Sequence, residues 1–232
     1  MAKKLADIRT FVESSASNFI DYLASMVDKK VLEDLTALSQ QTPTYLFSGV
    51  IRNFFLRKEG VRDLDIVVTQ KLDLANYFKD YAIKKNSFGG YKLSLNNLSI
   101  DMWYLEDTWA FVHQKTLPFE LAKIVPSTSF FNFSSIVFSL TENKFYCTRY
   151  FLRFLQDKKI DLVYSPNAND ALCVVNTFYY SDNYFLNIAE NLRKHLKYLH
   201  GKGEKDYETT QIKHFGKILY TNTVIEKRLK ML

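Results

Sequence analysis

The chain has 232 residues, 47% hydrophobic and 16% aromatic, with only seven Gly and four Pro. That is apolar material for one core or two small ones, and it excludes a disordered tract, a solenoid or a long linker. The formal net charge of +6 is uneven: residues 193 to 232 hold ten Lys/Arg against four Asp/Glu, and the remainder balances at 21 of each sign. Such a region suits either a phosphate backbone or a solvated helical face.

The N-terminus MAKKLADIRTFVESS is charged every few residues, which excludes the apolar run of a signal peptide or membrane span. A soluble, cytoplasmic protein without membrane contact is expected. Cys147 and Cys173 lack CxxC spacing and neighbouring histidines, so buried thiols are predicted rather than a zinc site or a disulfide. His113, His195, His200 and His214 share no metal-ligand spacing, and His195 and His200 are expected on the surface of a basic helix.

Apolar residues Leu5, Ile8, Phe11 and Val12, then Phe19, Tyr22, Leu23 and Met26, and then Val31, Leu32, Leu35 and Leu38 recur at helical spacing. They predict two N-terminal helices. Thr44 to Phe47 is a short β-prone run ending in Ser48-Gly49, after which VIRNFFLRK reads as a helix. Leu64 to Val68 suits a buried strand beside the first, with Asp63 and Asp65 at its start.

A helix is expected over Leu72 to Lys84, then strands over Tyr91 to Leu95 and Leu98 to Trp103 across an Asn96-Asn97 turn. Asp107 to Gln114 and Phe119 to Ile124 read as short helices. Ser134 to Leu140 and Lys144 to Cys147 read as a hairpin around Thr141-Glu142-Asn143. From Tyr150 the pattern is mainly helical, with helices expected over Asn169 to Tyr180, Phe185 to Leu199 and Tyr207 to Tyr220. The expected organisation is α+β: a mixed β-sheet flanked by helices over residues 1 to 147, then a smaller helical domain over 148 to 232. Tyr179, Tyr180, Phe130, Phe131 and Phe133 are expected in the core, and Trp103 and Trp109 at the sheet edge or an adjacent helix.

Asp63-Leu64-Asp65 places two carboxylates on the same side of a strand, about 6.5 to 7 Å apart, close enough to share metal ions. Asp101, the one acid within the Leu98 to Trp103 strand, is the natural third ligand. Magnesium, two ions with manganese as a substitute, is the cofactor this set suits, because it is held by a few carboxylates plus substrate phosphates and water. The Ser48-Gly49 turn lets backbone and a small hydroxyl approach a triphosphate, Arg52 adds a phosphate contact from the following helix, and Arg62 supplies a basic residue directly before the DxD.

In this order the motifs resemble the polymerase-beta nucleotidyltransferase superfamily, specifically the head of poly(A) polymerases and CCA-adding enzymes. Where those read GGxVRDxLLGR and K-D-I-D-I, this chain has SGVIRNFFLR and RDLDIVV. The resemblance implies that Ser48 and Gly49 form the triphosphate-facing turn, that Arg52 is the helix arginine, and that Asp63 and Asp65 bind metal. Phe131 to Phe138 resembles the FTINALAY segment, and residues 160 to 188 resemble the neck, so the likeness spans about Thr44 to Ile188.

The chain departs from that pattern at several positions. Asn53 replaces an acid, Ser134 an Asn, Thr128-Ser129-Phe130 the RRD triplet, and Cys173 and Asn176 the neck arginines. No EDxxR is present, so templated CTP-then-ATP selection is not expected, nor is a full tRNA-maturation enzyme.

Three functions are open to the sequence. One is metal-dependent transfer of a nucleoside monophosphate from a nucleoside triphosphate to an RNA end, the RNA following the basic 193 to 232 region, with pyrophosphate leaving. The second is the same transfer to a protein or small molecule, of toxin, defence or resistance type. The third is a non-catalytic nucleotide-binding regulator of the same fold.

Overall fold

The computed structural model describes residues 4–60, 63–86, 89–96, 98–114, 117–166, 169–203 and 205–232. The chain divides into two compact units, the first made of residues up to Ser129 with Phe133–Gln156, the second of Phe130–Asn132 with Asp157–Leu232.

The first unit opens with α1 (Leu5–Ser14), α2 (Ala16–Met26) and α3 (Lys29–Gln41). These are three helices, not the two expected. The periodic stretch is interrupted at Ser15, whose Oγ donates to the Phe11 carbonyl at 2.6 Å, while Asp28 caps α3 by accepting from the Lys30 amide. Next come β1 (Thr44–Phe47), α4 (Gly49–Phe55), β2 (Asp63–Val68), α5 (Leu74–Tyr77), β3 (Ala82–Lys85), β4 (Tyr91–Leu95) and β5 (Leu98–Tyr104). A 3-10 turn at Leu105–Asp107, α6 (Trp109–His113), α7 (Leu121–Ser127), β6 (Ile136–Ser139), β7 (Lys144–Cys147) and α8 (Arg149–Asp157) complete it.

The predicted helix over Leu72 to Lys84 is corrected: Asp73 caps a single turn, Phe78 leaves helical geometry at φ −116°, ψ 54°, and Ala82–Lys85 instead pairs with β4. Joining the edge of a sheet satisfies those backbone groups non-locally, which helical periodicity does not register.

The seven strands lie in the order β3-β4-β5-β2-β1-β6-β7. Neighbours are antiparallel except β2 and β5, which run parallel. One face, with Leu46, Leu64, Ile66, Leu93, Ile100, Met102 and Phe138, is buried. Helices α2 and α4 seal part of it through Phe19 and Phe54, Phe19 lying 4.8 Å from Phe138 and 5.2 Å from Phe54. On the opposite face Tyr45, Val67 and Val137 pack with Leu105 and with Leu121 of α7. That covering layer lies over the Val67 side of β2, whereas Asp63, Asp65, Ser99 and Asp101 remain half-buried.

The second unit is helical. It contains β8 (Lys159–Ile160), α9 (Asp170–Tyr184), β9 (Asn187–Ile188), α10 (Glu190–Gly201), α11 (Tyr207–Phe215) and α12 (Asn222–Met231). The helix expected over Phe185 to Leu199 begins later, because Phe185 adopts left-handed backbone at φ 53° and ends α9, and Asn187–Ile188 pairs with β8. Gly216 at φ 70° ends α11 in the same manner.

Asn132 holds this unit's Phe130–Asn132 segment in place. Its side chain donates to the Lys159 carbonyl and accepts from the Asp161 amide at 2.9 and 3.0 Å. Among the described residues no helix is long and apolar enough to cross a membrane.

Candidate active site

Strand register aligns the chemistry. Phe47 pairs with Asp65, Asp65 with Asp101, and Asp101 with Lys92, so one row crosses β1, β2, β5 and β4. Side chains in one row share a face and lie about 4.8 Å apart between neighbouring strands. Asp65 and Asp101 are therefore side by side, and Asp63, two residues along β2, shares their face. The parallel β2–β5 pairing brings both aspartate-bearing ends to the same edge of the sheet, where β1 ends and the Ser48-Gly49 turn begins.

The electrostatics reflect the same proximity. Burial of its carboxylate pushes Asp65 up to about 7, and the charges of Asp63 and Asp101 add to the rise. Opposing it are the Arg52 guanidinium and a hydrogen bond from the Gly49 backbone. Three carboxylates gathered on one edge repel one another, so the site is stabilised by any cation that joins it.

Ser48 sits at φ 62°, ψ −119°, a conformation that glycine adopts readily and serine does not. This sharp reversal carries the chain from β1 directly into α4 and aims Gly49 at Asp65. Arg52 is buried at 7% exposure, with its guanidinium 5.3 Å from the centre of the Phe133 ring. Its Nε and Nη2 donate to Asn53 Oδ1 at 3.4 and 3.2 Å, and Asn53 Nδ2 in turn donates to the Gly60 carbonyl at 3.2 Å. Of the sequence-predicted residues, Asp63, Asp65, Asp101, Ser48, Gly49 and Arg52 converge here. Arg62 lies outside the described residues.

No protein-family model matches the chain, and no curated protein matches it. Solved structures do. A CCA-adding enzyme in an apo form superposes with a TM-score of 0.66 at 19% identity, covering 91% of this chain and 53% of that one. A CCA-adding enzyme complex with CTP gives 0.65 at 20% identity, covering 91% and 53%. The Thermotoga maritima CCA-adding enzyme complexed with tRNA gives 0.60 at 19% identity, covering 90% and 58%.

The chain has the CCA-adding-enzyme fold.

It spans a little over half the length of those structures. Within this CCA-adding-enzyme fold, the departures noted in the sequence have local consequences. Asn53 is the partner of Arg52 and also ties α4 to the Gly60 carbonyl. Asn176 on α9 has a buried Oδ1 for which no hydrogen-bond partner is found among the described residues, and the same holds for Tyr164 Oη and His195 Nε2.

Sequence reasoning missed Lys92. Its Nζ lies 3.0 Å from Asp101 Oδ2 and 3.1 Å from Ser99 Oγ. A signal was present: a hairpin turning at Asn96-Asn97, of which Asn97 lies outside the described residues, pairs Leu95 with Leu98 and so sets Lys92 opposite Asp101. No three Asp, Glu, His or Cys side chains among the described residues close on one ion position.

Cys173 is buried and burial pushes its thiol up to about 12, whereas Cys147 is only half-buried, its thiol pushed up to about 11. His195 and His200 are half-buried rather than surface residues: His200 Nδ1 lies 2.8 Å from Tyr207 Oη, and burial lowers His195. They depart from the expected surface position because aromatic rings lie against them, Phe130 6.0 Å from His195 and Tyr207 6.1 Å from His200. Phe131 and Phe133 are core, and Trp103 packs against Phe47 at 5.8 Å.

Proposed function

We propose that the chain is a nucleotidyltransferase that moves a nucleoside monophosphate from a nucleoside triphosphate to an acceptor hydroxyl on an RNA end, with pyrophosphate leaving. One observation carries this reading: Asp65 and Asp101 are paired on parallel strands, with Asp63 on the same face, at the edge where the Ser48-Gly49 turn enters α4. The solved relatives of this fold with CTP, ATP and tRNA in their complexes support the same ligand classes as the first to test.

The donor set fits magnesium or manganese: it is all oxygen, anionic and clustered, and magnesium needs only one or two carboxylates beside substrate oxygens. Asp63 and Asp65 would hold one ion, and Asp101 would complete a second position. A bound divalent ion supplies charge that stabilises the attacking and leaving oxygens of an in-line displacement.

The protein's own residues do the rest. Arg52, buried and oriented by Asn53, is a fixed positive charge for the triphosphate, while Ser48 and Gly49 offer backbone without bulk where phosphate approaches. Arg62 is assigned to the same phosphates. The acceptor hydroxyl attacks the α-phosphorus and gives up its proton to water; the new O–P bond forms as the bond to the bridging oxygen of pyrophosphate breaks.

RNA would follow the second unit's basic region. There Lys197, Lys213, Lys217, Lys227 and Lys230 are exposed, whereas Arg228 is committed to Asp182 and Arg193 Nε donates to the Ile188 carbonyl.

The test is incubation with each labelled triphosphate, magnesium and total RNA or cell extract, beside Asp63→Ala and Asp65→Ala. Label on RNA that both variants abolish is expected. Aspartate-dependent label on protein or a small molecule instead would replace the RNA acceptor, and no aspartate-dependent label would remove the catalytic reading altogether.

A further inference from the structure

Lys92 faces Asp101 across the β4–β5 ladder, and Lys84 on β3 is opposite Lys92 in turn, so the row runs Asp65, Asp101, Lys92, Lys84 from β2 to the sheet edge. The ammonium is held from two sides, 3.0 Å from Asp101 Oδ2 and 3.1 Å from Ser99 Oγ. The two partners differ in freedom: the Asp101 side chain is 16% exposed and the Lys92 side chain 44%. A carboxylate on a short stem inside a sheet stays where the strand puts it, whereas a lysine on a flexible four-carbon stem can swing toward solvent. Lys84, exposed and of like charge, disfavours any movement of Lys92 toward the sheet edge.

An ammonium on Asp101 Oδ2 weakens the attraction of that carboxylate for a divalent ion, because each brings positive charge to the same group. Like charges within about 4 Å repel appreciably even in a water-like medium, and a divalent ion doubles the repulsion. A triphosphate removes the conflict, since its oxygens offer the ammonium another partner and bring negative charge that a second ion needs.

We propose that Lys92 is a positioning residue that withholds Asp101 from metal until a triphosphate arrives, so that the site takes one divalent ion without nucleotide and two with it. This rests on the reading of the site as a nucleotidyltransferase centre. Lys92 is thereby a built-in coupling between substrate binding and completion of the metal site.

The experiment is titration with manganese, free ion being read by electron paramagnetic resonance, on the wild type, Lys92→Met, Lys92→Arg and Asp65→Ala. Each is measured alone and with a non-hydrolysable α,β-methylene triphosphate, after correction for manganese held by the nucleotide alone. The wild type and Lys92→Arg are expected to bind one ion alone and two with nucleotide. Lys92→Met is expected to bind two without nucleotide, the second about tenfold tighter than in the wild type. Lys92→Gln repeats the loss of charge with a side chain that can still reach Ser99, should the methionine disturb the ladder.

Two ions on the nucleotide-free wild type, or neutral variants that bind as the wild type does, would overturn the proposal while leaving the transferase reading intact. Manganese binding that Asp65→Ala does not weaken would remove that reading, and this inference with it.

Discussion

Replacing Asp65 by Asn removes a charge that the fold holds against its preference. The folded carboxyl titrates at about 7 against a reference of 3.8. As pH rises from about 4 to about 7 the unfolded chain releases this proton before the folded one does, so the folded state binds more protons there and loses stability. Below about 4 both forms are protonated and the penalty is absent. A tenfold difference in proton affinity corresponds to about 1.4 kcal/mol, which gives a penalty of about 4 kcal/mol at pH 8 and under about 2 kcal/mol at pH 5.

Asp65→Asn is therefore expected to be more stable than the wild type at pH 8, with the gap narrowing by roughly 2 to 3 kcal/mol at pH 5. Urea unfolding at the two pH values measures it. Magnesium at pH 8 should close the gap from the other side, stabilising the wild type by about 2.7 kcal/mol at a hundred times its Kd and the variant far less. A variant no more stable than the wild type at pH 8, or a gap independent of pH, would refute the crowding of three carboxylates on this edge.

Three further perturbations probe the frame around the site and the second unit. Ser48→Gly is expected to stabilise the first unit by about 1 kcal/mol by relieving the φ 62° backbone, whereas Ser48→Ala, which keeps a Cβ, should not; paired urea midpoints decide between them. Gly90→Ala would put a Cβ 2.5 Å from Trp103 Nε1 and 2.7 Å from the Met102 carbonyl oxygen, so a loss of about 2 kcal/mol and altered tryptophan fluorescence are expected. In the second unit Arg228 reaches Asp182 through its two terminal nitrogens, Nη1 and Nη2, at 2.6 and 2.7 Å and lies 4.2 Å from the centre of the Phe178 ring. Arg228 holds the Asp182 carboxyl below its usual value, with Tyr220 assisting. Asp182→Asn should cost about 1 kcal/mol at neutral pH, given the pair's exposure. A depressed carboxyl contributes its stability above the unfolded value and loses it as pH falls through the folded one, so urea midpoints of the two proteins should converge in acid.

Much of the site was legible because its residues are close in sequence. Ser48-Gly49 and Arg52 lie on one turn and the helix it starts, and Asp63 with Asp65 needed only the two-residue period of a strand. Helix boundaries were less legible where tertiary pairing competes with local preference. Ala82–Lys85 has a sequence fit for a helix, yet the free edge of β4 recruits it as a strand, and Phe185 ends α9 through a backbone conformation that its side chain does not announce. The half-buried state of His195 and His200 likewise depends on the Phe130 and Tyr207 rings beside them, and charge pattern alone does not specify that.

By itself, then, the sequence determined that this chain carries a carboxylate pair on a strand behind a small-residue turn and an arginine-bearing helix, because those features follow from local spacing. Only the tertiary structure decided that β2 and β5 are parallel neighbours, which makes Asp101 the partner of Asp65, and that β4 brings Lys92 onto the same carboxylate. The first pairing joins residues 36 positions apart through a crossover, and nothing in local periodicity selects one neighbour among seven strands. It is selected by the burial of Leu64, Ile66, Ile100 and Met102 on the opposite face, a collective property of the folded sheet.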